Sequence, residues 1–475
     1  MQTTAAAAAP HSFDNSWSTH LRAGLVLGIP FVGAQLAQLA IHTTDVLMVG
    51  KLGPTELAAI VLGTQLFFTM FIFGCGFTHA VVPMVAQAVG RGDTVAVRRS
   101  VRMGIWVVLL YGALTMPVIW KAEAILTALG QQPAVAALAG RYLHIAQWSM
   151  FPSLIIMVLR ALLAGYERAG IILWVTIATL LLNIVLCYVL IYGHFGFPAL
   201  GIEGAAYAAL GVATLGVVLL LIYIRCVPAL HRLDIFVRFW RPDWGMFREV
   251  VMLGLPIAVT ILAEVSLFTA ASLLIGTIGT TELAAHGIAL QFASIAFMIP
   301  LGLAQAGTVR VGLALGRGDL LGVRRAAIAI LGLAGVVSLI GSLVFAVIPY
   351  TLATLFLDTA RPDAAAVVAV AGPLIVIAGA FQLVDGLQAV GAGLLRGLKD
   401  ARVPMILAMI AYWPIGFLSG WIFALPLGLG ANGVWYGFVL GLIAASIMLL
   451  GRFFMTLKRM ETDPATYQAV RTATA

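Results

Sequence analysis

The chain has 475 residues, of which 62% are hydrophobic and 10% charged, and its net charge is +8. A soluble globular chain carries about 25% charged residues, so this composition argues against a soluble protein and for a bilayer as the solvent. The positive charge does not point to nucleic acid, because the basic residues lie in short loops between apolar stretches.

Residues 1–20 have no basic stretch ahead of an apolar core and read as a disordered tail rather than a cleaved signal. Apolar stretches long enough to cross a bilayer core about 30 Å thick then follow in series. The first six lie near 22–49, 56–82, 101–120, 136–164, 170–192 and 203–225. The other six lie near 249–276, 282–307, 326–348, 364–395, 404–424 and 433–455.

The first span carries Gln35, Gln38, His42 and Asp45 at i, i+3, i+7, i+10 spacing, which places them on one helix face. Pro30 precedes them as a candidate hinge. A carboxylate inside a span costs about 2.5–3.5 kcal/mol on insertion scales, so this face is expected to look into the bundle or a water-filled cavity. On the fifth span Thr176, Thr179, Asn183 and Cys187 form a second stripe. Asn183 is placed to hydrogen-bond Asp45 if the first and fifth spans meet. The seventh span carries Pro256, Thr260 and Glu264, and the tenth carries Gln382, Asp385 and Gln388. Carboxylate, amide and hydroxyl oxygens suit a hard monovalent cation, and the same carboxylates can instead take a proton. Phe67 and Phe71 of the second span and Phe292 and Met298 of the eighth are expected to line a substrate cavity.

The two halves repeat each other. GKLGPTELAA from Gly50 returns as GTIGTTELAA from Gly276, and VGRGDTVAVRR from Val89 returns as LGRGDLLGVRR from Leu315. Both displacements, 276 − 50 and 315 − 89, equal 226. Pro30 falls on Pro256, and Gln38 falls on Glu264. Six spans per half make the halves enter the membrane in the same direction. The expected fold is therefore an all-α membrane protein of twelve helices. Its two six-helix lobes are related by a pseudo-twofold axis along the membrane normal. The lobes are expected at 21–225 and 249–456, with an interlobe linker at 226–248 and a C-terminal tail at 457–475.

One set of loops carries Arg91, Arg98, Arg99, Arg102, Arg232, Arg238, Arg241, Arg317, Arg324, Arg325 and Lys399. The opposite set carries little beyond Lys51, Lys121, Arg141 and Arg361. This imbalance places both termini in the cytoplasm. The GRGD tetrapeptides read as glycine turns, with Asp93 and Asp319 near helix starts. The linker interleaves Ile235, Phe236, Phe239, Trp240, Trp244 and Phe247 with arginines and a histidine, as an interfacial segment does. Cys75, Cys187 and Cys226 have no metal or redox spacing. The chain has no phosphate-binding loop, zinc-binding helix or nucleophile elbow, so neither a nucleotide-driven pump nor a membrane enzyme is expected.

The stretches TTDVLMVGKLG, TELAAHGIALQ and DGLQAVGAGLLRGLKD, together with Glu264, resemble the multidrug and toxic compound extrusion (MATE) family, most closely its NorM-like branch. The resemblance runs from about Leu21 to Phe454. It implies a cavity between the lobes that opens alternately to each side. It also implies export of cationic, often aromatic, drugs in exchange for Na+ or H+, with no cofactor. By motif, Asp45 resembles the family's first-lobe acid and Asn183 its partner, while Glu264 and Asp385 resemble the second-lobe cation pair. This chain has His286-Gly287 where relatives often have His-Gln, and Cys187 where they often have an amide. The expected setting is a bacterial cytoplasmic membrane, as a monomer, with lipid and small molecules as partners and no nucleic acid. Two alternatives are a lipid-linked or polysaccharide flippase, whose cavity would be cationic, and a polytopic enzyme or receptor. Only Arg141 and Arg160, near span ends, speak for the flippase.

Overall fold

The computed structural model describes residues 15–357, 362, 364–465 and 467–468. Among them, twelve helices are long and apolar enough to cross a membrane. The first half contributes α1 (Trp17–Gly50), α2 (Pro54–Gly90), α3 (Thr94–Trp120), α4 (Pro133–Gly165), α5 (Ala169–Tyr192) and α6 (Ile202–Cys226). The second half contributes α7 (Trp244–Ile278), α8 (Thr280–Arg317), α9 (Leu320–Val347), α10 (Ala364–Gly397), α11 (Arg402–Ala424) and α12 (Gly430–Thr462). In hydrocarbon every backbone N–H and C=O must bond within the protein, which a helix achieves inside one segment and strands achieve only in a closed barrel.

The 226-residue shift is visible in the packing. Helix α1 packs on α8, the shift turns that contact into the packing of α7 on α2, and α2 and α8 pack on each other. The closest approaches come in matched pairs. A methyl group at Gly302 would stand 2.6 Å from the Val32 nitrogen, and one at Gly76 would collide with the Ala258 backbone. Gly28 lies against Leu303 as Gly254 lies against Phe77, and Gly90 lies against the Leu313 carbonyl as Gly316 lies against that of Gln87. Small residues let backbones approach where lipid gives no hydrophobic drive. Pro30 and Pro256 sit two residues before Val32 and Ala258, so the candidate hinges stand at the crossing itself.

All of these contacts fall toward the end of the bundle that carries the GRGD loops, called here the basic end. There Asp93 accepts from the Ala96 N–H at 2.9 Å and Asp319 from the Gly322 N–H at 2.8 Å. Gly92 and Gly318 supply the left-handed turns, at φ 72° and 81°. The GRGD motifs are thus helix-capping turns, as their sequence implied. Polar ties cross between the lobes at the same end. Arg310 pairs with Glu167 at 2.6 Å, Arg99 pairs with Asp243, and Gln87 donates to the Gly397 carbonyl at 2.9 Å. The Arg99 guanidinium beside Asp243 holds its carboxyl below the usual range.

Three boundaries differ from expectation. The tail expected over 1–20 lies outside the described residues up to 14, but the chain is helical from Trp17, with Ser16 accepting from the Thr19 N–H. The linker ends at Asp243, not 248, because the Asp243 side chain caps α7 by accepting from the Met246 N–H at 3.2 Å. Helix α12 runs past 456 to Thr462, because Leu457 and Met460 are buried and Glu461 reaches Arg324 at 3.7 Å. Arg361 and residues 469–475 lie outside the described residues.

Candidate ion and substrate sites

The first-lobe site forms because α1 packs on α5. Asn183 Nδ2 donates to Asp45 Oδ1 at 2.8 Å, and Cys187 Sγ approaches the same oxygen at 3.4 Å. The cysteine therefore stands in for the expected amide as a weaker donor. Tyr192 fixes the helix pair by donating to the Met48 carbonyl at 2.7 Å. His42 lies within electrostatic reach of Asp45 and meets Phe68 edge-on at 6.2 Å. Gln35 and Gln38 are half-buried on the same helix. Thr176 is buried and accepts from Arg160 Nη2 at 2.7 Å. Arg160, expected near a span end, thus directs its guanidinium inward onto α5.

The second-lobe site is set by a buried ion pair. Lys399 Nζ lies 2.5 Å from Glu249 Oε1 and ties the basic end of α10 to α7. Glu264 is 15 residues from Glu249 (264 − 249), and Asp385 is 14 from Lys399 (399 − 385). At about 1.5 Å per residue both carboxylates stand about 21–22 Å from the ion pair, at the same depth. Each is within electrostatic reach of the other. Asp385, Gln382 and Gln388 are all buried. Oxygens of all three, with Ser338 Oγ of α9, are buried without a hydrogen-bond partner. Ser338 packs on Gly386, next to Asp385. Gln388 Nε2 lies 2.5 Å from the Tyr412 hydroxyl, which a π-helical turn over Ala411–Phe417 brings forward. Such turns recur at functional sites. Thr260 is turned otherwise: its hydroxyl donates to the Pro256 carbonyl at 2.8 Å within its own helix. His286 is structural: Nδ1 accepts from Trp435 Nε1 at 3.1 Å, so Nε2 carries the proton toward Ser272 Oγ at 3.0 Å.

The expected cavity wall needs correction. Eleven residues return a helix to within about 20° of the same face. Gln65 and Gln291 lie eleven residues before Gly76 and Gly302, and Thr43 and Thr269 lie eleven after Val32 and Ala258. These four side chains are exposed, on the faces where the lobes meet, about 16 Å beyond the crossing. They are the side chains that a cleft between the lobes would present. Met298 is four residues before Gly302 and shares that wall. Phe67 and Phe71 are nine and five residues before Gly76, about 180° and 140° around α2, so they face into the first lobe. Phe292 is turned toward α9 and the chain that follows it, where it meets Phe345 of α9 at 6.1 Å and Phe356, past the end of α9, at 5.0 Å.

Sequence reasoning missed Arg396, Ser338 and Tyr412. Arg396 is eleven residues beyond Asp385, hence on the same face of α10, and lies within electrostatic reach of Glu264 and His79. That spacing was its signal. Ser338 and Tyr412 are single polar groups in apolar spans and gave none.

The MatE family model matches residues 30–189 and 256–422, one block in each lobe. The chain belongs to the MatE family. A probable multidrug resistance protein NorM of Rhizobium meliloti (strain 1021) is 72% identical to this MatE chain over 452 residues, covering 95% of it and 97% of the relative. A protein of the same name from Agrobacterium fabrum is 56% identical, covering 94% and 96%. The fold matches the crystal structure of the eukaryotic MATE transporter AtDTX14 with a TM-score of 0.84 at 20% identity, over 97% of this chain and 100% of the other. Family membership makes this chain a multi-pass membrane transporter and not an enzyme.

Proposed function

We propose that this MatE-family chain is a secondary multidrug efflux transporter. It exports cationic, aromatic drugs in exchange for Na+ or H+ across a bacterial cytoplasmic membrane, as a monomer with both termini inside. The observation that carries the coupling is the second-lobe cluster, two carboxylates at one depth among four unpartnered buried oxygens. Two carboxylates near each other in low dielectric repel, so the cluster favours uptake of a cation or a proton. An all-oxygen donor set from Glu264, Asp385, Gln382, Gln388 and Ser338 fits a hard monovalent cation. The relatives named as multidrug resistance proteins support the substrate class. Thr43, Gln65, Thr269, Gln291 and Met298 give the cleft neutral walls, which suit a cation better than a lipid-linked phosphate.

In this reading Trp17–Cys226 and Trp244–Thr462 are rigid lobes that rock about the matched glycine crossings, tethered by 227–243. With the basic end on the cytoplasmic side, the described state is closed to the cytoplasm and its cleft faces outward. Ion entry from outside into the second lobe and drug release from the cleft then share one state. A ligand shifts such an equilibrium only by its differential affinity for the two states. The gradient supplies the energy, so no nucleotide site is needed. The test is drug efflux from proteoliposomes under a Na+ gradient alone, then under a proton gradient alone. Efflux driven by at least one gradient supports the reading, and efflux driven by neither overturns it.

A further inference from the structure

The segment between α6 and α7, together with the first turns of α7, carries features that rocking alone does not require. Leu230, Leu233 and Ile235 turn inward and are buried, while Phe236, Val237, Trp240 and Trp244 turn outward. Trp240 is 74% exposed and Trp244 70%. Arg232, Arg238, Arg241 and Arg248 are exposed among them, with Asp234 as the nearby exposed acid. No ion pair engages any of these four arginines among the described residues. Arg238 holds a left-handed backbone at φ 54°, which glycine would favour. A contact to its carbonyl helps to fix it there.

That contact comes from α3. Arg99, Arg102 and Trp106 lie on one face of α3 at i, i+3, i+7. Arg99 pairs with Asp243, Arg102 donates to the Arg238 carbonyl at 3.1 Å, and Trp106 Nε1 donates to the Phe239 carbonyl at 2.9 Å. Trp106 is twelve residues into α3, about 18 Å from its basic end, inside the apolar run that begins at Val101. The segment therefore dips along α3 to the boundary between headgroups and acyl chains. Phe236 and Trp240 project at that depth, and the free guanidinium groups stand beside them. Aromatic side chains with arginines suit this zone, and the planar guanidinium fork fits a phosphate diester.

We propose that this segment binds anionic phospholipid headgroups, and that their binding favours closure of the basic end. The physical link is Asp243. Its carboxylate caps α7, the first helix of the second lobe, and pairs with Arg99 of the first lobe. Opening the basic end must draw the start of α7 away from α3. A segment anchored in headgroups by Arg238 and Arg241, with Arg248 in the second turn of α7, and packed on α3 resists that motion. The proposal rests on the rocking of the lobes described above, but its test uses neither drug nor ion gradient.

The reporter is Ala86→Cys, in a chain carrying Cys226→Ser. Ala86 is buried where the lobes close, against Gly312. The full chain is placed in nanodiscs of phosphatidylcholine, with and without phosphatidylglycerol. Maleimide labelling is timed, and retained phosphatidylglycerol is measured by mass spectrometry. Phosphatidylglycerol should slow labelling several-fold. The triple variant Arg238→Gln, Arg241→Gln, Arg248→Gln should label at one rate in both lipids and retain less anionic lipid. Trp240→Ala, a milder change, should lose part of the response. Equal lipid retention by parent and triple variant overturns the site. Retention in the parent with no change in labelling overturns the link to closure. Slowing by free inorganic phosphate in phosphatidylcholine discs overturns the assignment to a lipid surface.

Discussion

The two lobes share one architecture and hold their acids differently. In the first lobe Asp45 already has its partners, an amide and a thiol on one oxygen. In the second lobe Asp385, Gln382, Gln388 and Ser338 keep unpartnered oxygens beside Glu264. Duplication supplied matched helices, and single substitutions then set their roles, as when Gln38 in one lobe stands where Glu264 does in the other. A hydrogen-bonded acid resists change, whereas a cage of lone pairs awaits a cation. Under the proposed function, this contrast gives coupling to the second lobe and a supporting or switching role to the first.

The largest effect expected from this contrast is on transport. Glu264→Gln and Asp385→Asn should each abolish ion-driven efflux in proteoliposomes, while drug affinity in detergent weakens much less. Parental efflux in both variants would leave Asp45 as the only coupling acid and invert the comparison. Asp45→Asn should insert normally and lose most drug resistance in cells, because it keeps the hydrogen-bonding shape without the charge. Resistance equal to the parent at matched expression removes the first lobe from the mechanism.

A smaller effect sharpens the same contrast through stability. Asn183→Ala removes a hydrogen bond to a carboxylate and should lower stability by about 2 kcal/mol, read as earlier thermal unfolding in detergent. Gln382→Leu should lower it far less, since that amide oxygen has no partner to lose. The smallest effects concern the cleft. Gln65→Ala and Gln291→Ala should each shift drug affinity by a few-fold, and Phe67→Ala should change stability without changing the drug profile. A changed profile from Phe67→Ala alone would return that ring to the cleft. Orientation is checked separately: cysteines placed by Arg98→Cys and Arg324→Cys should react only with reagents that reach the cytoplasm.

Much of the fold was legible because lipid removes alternatives. Apolar runs of sufficient length must be helices, and the 226-residue shift fixed their pairing into lobes. The Asp45–Asn183 contact was legible for the same reason, since two polar stripes that cannot face lipid must face each other. The cavity rings were not legible. An aromatic side chain is equally at home in a lobe interior, against lipid or on a cleft wall, and only the register from Gly76 settled which way Phe67 and Phe71 point. That register was latent in the sequence, in the matched pairs Gly76 with Gly302 and Gln65 with Gln291. Glycine is so common in this chain that no single one announced a crossing. Helix ends were misplaced where a cap or a buried side chain beyond the apolar run extended the helix, as Asp243 and Met460 did.

The reciprocal crossings carry one more consequence. Gly28 with Leu303 and Gly254 with Phe77, like the other matched pairs, make an isologous interface, the self-complementary kind that two identical subunits form about a twofold axis. An isolated first lobe, Trp17–Cys226, would present to a second copy of itself the surfaces that the second lobe now covers. Its natural state would be a parallel homodimer, and the covalent chain is that dimer with its subunits joined and free to diverge.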